Sequence, residues 1–157
     1  MTKIIVSILA ILLIFFPNNG FLLSNYQNLS FLGDDAITDI IVEAINNNDA
    51  DTIEDMLSQH TKENGENLNQ KIKELIAAID GQIIEYYDHG SGGDGNTGYV
   101  KDKSWAIYVK TDTNNEYLVH VSWVIVNTSN PQKVGMKTLR LTDTDFNQIK
   151  TIYTPID

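Results

Sequence analysis

From Tyr117 to Asn127 the chain reads Y-L-V-H-V-S-W-V-I-V-N, a nearly uncharged run that alternates with the period of a β-strand. Successive strand side chains point to opposite faces. Tyr117, Val119, Val121, Trp123 and Ile125 therefore share one face, and Leu118, His120, Ser122, Val124 and Val126 the other. The first face is apolar and aromatic and needs a cover. Lys103 to Thr111 predicts a second such strand, with Trp105, Ile107 and Val109 opposite Ala106, Tyr108 and Lys110, and Asp112-Thr113-Asn114-Asn115 supplies the turn between them. Gln82 to Asp88 predicts a strand ahead of these. Gly135 to Thr142, reached through Ser129-Asn130-Pro131, predicts a fourth, in which Leu139 and Leu141 alternate with Thr138, Arg140 and Thr142. Beyond it, Phe146, Ile149 and Tyr153 fit a short helical turn, while Ile149 to Thr154 equally fits a strand.

Before the strands the period is that of a helix. Ile37, Ile40, Ile41, Ala44 and Ile45 follow a cap at Asp34 or Asp35 and run up to Asn46-Asn47-Asn48. Asp51-Thr52-Ile53-Glu54 reads as a capping box that opens a shorter helix striped by Ile53, Met56 and Leu57. After a loop at Asn64-Gly65, a third helix carries Leu68, Ile72, Leu75, Ile76 and Ile79 on one face and stops at Asp80-Gly81. The stripes are aliphatic, the composition of core. Three helices followed by a four-strand antiparallel meander predict an α+β domain with the helices covering one face of a curved sheet.

The N-terminus changes the picture of where this domain works. Lys3, the apolar run Ile4 to Phe16 and the breaker Pro17-Asn18-Asn19-Gly20 have the pattern of a secretory signal. The run is shorter than the ~20 residues a spanning helix needs. No A-x-A pattern follows, so an uncleaved N-terminal anchor is the alternative. The expected division is a signal peptide or anchor over 1–24, a linker over 25–33 and a single domain over 34–157. The product is expected to be secreted or at the cell surface, with a membrane tether only through residues 4–16.

Zero cysteines exclude disulfides, thiolate catalysis and attachment of lipid to an N-terminal cysteine. With 21 acidic and 11 basic residues, the net charge of -10 argues against nucleic acid and against an anionic membrane surface as partners.

Gly90-Ser91-Gly92-Gly93-Asp94-Gly95 matches G-x-G-x-x-G, but the next predicted element is a strand. A dinucleotide fingerprint needs a helix N-terminus at that point to hold the pyrophosphate, so the stretch is expected to be a flexible hairpin loop. Asp88, Asp94 and Asp102 lie close by without the spacing or closing glutamate of an EF-hand. His60, His89 and His120 are too far apart for a helical zinc pair, although strand ends can bring His89 and His120 together beside Asp88 or Glu85. No metal or cofactor is expected. The sequence has no G-x-S-x-G elbow. The catalytic candidates are Glu85 as a carboxylate base and Tyr108 as a hydrogen-bond donor, alongside Tyr86 and Tyr87. Tyr87, Trp105, Tyr117 and Trp123 are the candidates for lining a ligand cavity.

Several stretches together resemble a known group. They are Ala44 to Ser58 (A-I-N-N-N-D-A-D-T-I-E-D-M-L-S), Ile79-Asp80-Gly81, the Gly/Ser loop, Tyr108 to Asp112, Tyr117-Leu118, Asn130-Pro131 before Gly135, and Leu139 with Leu141. From Asp34 to Thr142 the chain is similar to small exported proteins and lipoproteins of Gram-positive bacteria. Their domain of unknown function has a cone-shaped fold like nuclear transport factor 2, of the cystatin-like kind. The resemblance implies a curved sheet wrapped around a helix with a cavity at its open end, and it brings no catalytic residues. Lipoprotein status does not carry over, since the lipobox cysteine is missing.

The foremost functional reading is a non-enzymatic extracytoplasmic domain that binds a ligand or a protein. A second is a small isomerase or dehydratase with a carboxylate in the cavity. A third is a homodimer with His120, Ser122 and Arg140 on a sheet-to-sheet interface.

Overall fold

The computed structural model describes residues 34–152. The expected signal segment, the linker and Tyr153 lie outside the described residues. Among the described residues four helices, α1 (Asp34–Asn46), α2 (Ala50–Met56), α3 (Gln59–Asn64) and α4 (Leu68–Ala77), precede five strands. The strands are β1 (Ile83–Asn96), β2 (Val100–Thr111), β3 (Glu116–Asn127), β4 (Gly135–Thr142) and β5 (Gln148–Thr151), with a 3-10 turn at Pro131–Lys133 ahead of β4. They form one open antiparallel sheet in the order β1-β2-β3-β4-β5. The class is α+β, helices first and meander second. None of the helices among the described residues is long and apolar enough to cross a membrane.

The helical stripes bury as their spacing requires: Ile37, Ile41 and Ile45 of α1, Ile53 and Met56 of α2, and Ile72, Leu75 and Ile76 of α4. They lie over the face of the sheet that carries Trp105, Ile107, Val109, Val119, Val121, Trp123, Leu139 and Leu141, all buried. Each such side chain contributes roughly 1.5–3 kcal/mol when fully buried. Polar ties fix how the layers sit. The Trp105 indole N–H donates to Thr38 Oγ1 of α1 at 3.2 Å, and the Tyr86 hydroxyl donates to Asp39 at 2.8 Å. Asn46, at the end of α1, both accepts from the Ile83 N–H (2.8 Å) and donates to the Ile83 carbonyl (3.0 Å), which clamps the start of β1.

Four expectations are corrected. The second helix is capped by Asp49, which accepts from the Thr52 N–H at 3.0 Å, so it begins before the proposed Asp51 box. A further helix, α3, follows Ser58, whose hydroxyl accepts from the Thr61 N–H. Only Thr61 of its sequence Q-H-T-K-E-N is buried, so it has no apolar period to reveal it. The glycine run is strand rather than loop: β1 continues through it, paired with β2 as far as Asn96 opposite Lys101. Three register shifts absorb the extra residues, as bulges do when they bend a strand. Finally, among the described residues the sheet has five strands, not four, because Gln148–Thr151 pairs with β4.

Gly135, where β4 begins, needs its lack of a side chain. Its φ is +121°, and a Cβ there would lie 3.1 Å from the Ser58 Cα. That close approach lets the Ser58 N–H donate to the Met136 carbonyl at 2.9 Å, tying the α2–α3 junction to the sheet edge of β4.

Candidate functional site

The face of the sheet turned away from the helices carries a cleft of about 680 Å³. Strand pairing dictates what lines it. In the central row Gly90 lies opposite Ala106, Ala106 opposite His120, His120 opposite Arg140, and Arg140 opposite Thr151. In the next row Ser104 faces Ser122, and Ser122 faces Thr138. The small residues Gly90, Ala106, Ser104 and Ser122 keep the middle low. Gly90 adopts φ +130° and its N–H donates to Asp88 Oδ1 at 2.7 Å, so a bulge sets this end of the depression.

Rings stand around it. His89 lies at one side, with Tyr108 at 6.5 Å and Tyr87 at 6.4 Å between ring centroids. Phe146 stands near His120, with centroids 6.1 Å apart, and is 63 % exposed. The β4–β5 turn places it there. Asp143 accepts from the N–H groups of Asp145 (3.0 Å) and Asn147 (2.8 Å) and from the Asn147 amide (2.8 Å), and Phe146 takes φ +65°. Those bonds, the Asn147 amide foremost, hold the Asp143 carboxyl below the usual carboxylate range.

The polar groups of the cleft are uneven in their pairing. His120 shares a 3.0 Å hydrogen bond between Nε2 and Thr142 Oγ1. Burial, with smaller contributions from Arg140 and His89, pushes the His120 imidazole below its ordinary value. Ser104 donates to Ser122 at 3.3 Å. Arg140 meets no carboxylate among the described residues, and the buried Thr151 hydroxyl has no hydrogen-bond partner. Arg140 is the sole arginine of the chain, every other basic residue being lysine. Among the described residues no aspartate or glutamate lines the cleft.

The residues singled out from sequence divide between the two faces. His89 and His120 do come to one site, without Asp88 or Glu85 as a shared ligand set; among the described residues no metal-sized cluster of acidic and imidazole groups forms. Tyr108 and Tyr87, the latter expected to line the cavity, do not line the cleft; they stack on each other at 4.6 Å and 21° beside His89. Desolvation pushes the Tyr108 hydroxyl up to about 12, helped by a hydrogen bond to Glu116 and by the charges of Glu116, Tyr87 and Glu85. Glu85 is exposed and pairs in register with Lys110, outside the cleft. Trp105 borders the cleft through its main chain, since its side chain is only 2 % exposed and faces α1. Trp123 and Tyr117, expected to line a cavity, lie on the helix side instead: Trp123 is 1 % exposed, and Tyr117 packs on the core with its hydroxyl accepting from the Asp80 N–H at 3.3 Å. Thr138, Phe146, Gln148 and Thr151 were not foreseen as site residues. The available signals were the lone arginine and the Asp143/Asn147 turn.

A second depression of about 490 Å³ lies among the helices, beside Glu54, Lys62 and Asn69. Its groups are paired with one another. Asn69 donates to both Asp51 and Glu54, and Lys62 meets Asp55 at 3.6 Å.

A family profile described as "Domain of unknown function (DUF5104)" matches residues 40–149. The chain belongs to this family. No curated protein matches it. The DUF5104 match runs from within α1 to within β5 and so takes in every residue of the cleft described above except Thr151.

Proposed function

We propose that this DUF5104 chain is an exported, non-enzymatic binding domain that receives a small ligand in the cleft on the open face of its sheet. The carrying observation is a pair of polar groups there that no described residue engages: Arg140, exposed and without a carboxylate, and the Thr151 hydroxyl, buried and without a partner, the second being the one that burial makes costly. Buried polar groups are normally hydrogen-bonded, and a cleft of this size matches the range that small-molecule sites occupy. The apolar run Ile4 to Phe16 supports delivery to the cell exterior, as a secreted or surface-held protein of a Gram-positive bacterium. The bend that the β1 bulges impose on the meander supports a sheet of the cone-shaped, nuclear transport factor 2-like kind.

The isomerase or dehydratase reading finds less support. Its carboxylate candidate Glu85 is exposed outside the cleft, and its candidate donor Tyr108 is engaged with Glu116 and does not line the cleft. Native mass spectrometry of the protein, tagged at its C-terminus and recovered from its host, tests the binding reading. The wild type is expected to carry a small-molecule adduct that the cleft-filling variant Ala106→Trp lacks. An adduct that survives Ala106→Trp, or an adduct-free dimer closed over this face, would refute it.

A further inference from the structure

Resting on that binding reading, we infer that the ligand is a small organic anion, a carboxylate or phosphate carried on an aromatic or apolar body. Three independent features of the cleft lead there.

The first is charge. The chain has nearly twice as many acidic as basic residues, 21 against 11, yet among the described residues the cleft lining contains an arginine, two histidines and no acid. A random patch of this surface would be negative. The net charge of -10 also disfavours any extended polyanion at long range, so the anion is small enough to be read locally.

The second is donor geometry. Arginine presents a rigid fork that fits carboxylate or phosphate oxygens two at a time, which lysine does not. Arg140 stands between His120 and Thr151 in the central row, flanked by the hydroxyls of Ser122 and Thr138 in the next. The accessible neighbours can donate to the same anion, and the Thr151 hydroxyl, buried and without a partner, joins them by rotating toward the cleft.

The third is the ring. An aromatic side chain that is 63 % exposed and held at positive φ by four hydrogen bonds converging on Asp143 is fixed in place by its turn. A free benzyl group in solvent gains nothing from being held. Beside Arg140 and His120 it supplies a flat surface for the apolar part of a ligand whose charged end lies on the arginine.

The test is an NMR titration of the purified chain with phenyl phosphate, benzylammonium and inorganic phosphate. Phenyl phosphate is expected to shift the resonances of Ser122, Arg140, Phe146 and Thr151 together, and benzylammonium to leave them unmoved. Arg140→Gln should weaken phenyl phosphate by about tenfold or more, the loss expected for a charge-assisted contact. Phe146→Ala should weaken it several-fold while leaving inorganic phosphate unchanged. Unaltered affinity in Arg140→Gln would overturn the assignment. Shifts with benzylammonium alone would overturn the anion class while leaving the cleft a binding site. Silence from all three probes, together with an adduct that survives Ala106→Trp, would end both readings.

Discussion

On the helix side of β3, Val119, Val121 and Trp123 are at or below 1 % exposure, whereas on the open side His120 and Ser122, one residue away along the same strand, are half-buried and polar. Around the cleft the contrast extends across the sheet, while toward the ends of β3 the open side also buries Leu118 and Val124, at 1 % and 6 % exposure. The helix side buries Ile107 and Leu139; the open side presents Ser104, Thr138 and Arg140. Folding explains the first set completely, since apolar area removed from water is the main stabilising term. It does not explain the second. Aliphatic residues at these cleft positions would serve folding as well, and an arginine without a carboxylate beside an unpaired threonine hydroxyl is not an arrangement that folding calls for. The helix side therefore specifies the fold, and the cleft on the open side is left to specify the ligand.

Substitutions on the two faces should separate cleanly. Trp123→Ala is expected to lower stability by about 3–5 kcal/mol in chemical denaturation, as large-to-small core changes do; a loss under about 0.5 kcal/mol would mean the indole is not packed. Gly135→Ala should come next, at about 1–3 kcal/mol, because its φ of +121° disfavours a side chain and Ser58 is in the way. Its melting temperature reports this, and an unchanged value would show that β4 can move away from Ser58.

On the open face the stability effects shrink. His120 has its folded-state value held below 6.5, so as pH falls through 6.5 the unfolded chain takes up the proton first. Stability contributed by keeping this imidazole neutral is complete above 6.5 and is lost on acidification through the lowered folded value. Arg140 and His89 face it and add to the cost of its protonation. His120→Gln should flatten this part of the stability profile between pH 7 and 5, and an identical slope would remove the burial account. Arg140→Gln should change stability least, within about 0.5 kcal/mol, while weakening the binding of an aromatic anion by about tenfold or more. A large loss of stability would turn Arg140 into a structural residue and erase the contrast.

The core face could be read from sequence because burial leaves a period: the alternation around Trp105 and Trp123 and the aliphatic stripes of α1 and α4 each repeat over several turns or pleats. Elements held by specific polar contacts left no such trace. Helix α3 rests on the Ser58 cap. Strand β5 is four residues long, fixed by its pairing to β4, by the Ile152 N–H donating to the Leu139 carbonyl and by Lys150 meeting Glu74 at 3.2 Å. The glycines of β1 resemble a loop by composition, and only the partner strand β2 makes them a bulged strand. The site is a product of the same tertiary events. His120, Ser122 and Arg140 could be placed on one face from alternation, but Phe146 joins them through a left-handed turn and Thr151 through a strand the pattern left open. Expecting Tyr117 and Trp123 in the cavity followed from placing it under the helices, a side that the core occupies.

Because the chain contains no cysteine, one measurement addresses both faces at once. Single variants Ser122→Cys and Val121→Cys differ by one position and by the face they occupy, and a thiol reagent reports exposure directly. Ser122→Cys is predicted to react in the folded protein and to be protected by phenyl phosphate, while Val121→Cys stays unreactive until the protein unfolds. Equal labelling of the two, or a Ser122→Cys thiol that phenyl phosphate leaves fully reactive, would contradict the assignment of one face to folding and the other to binding.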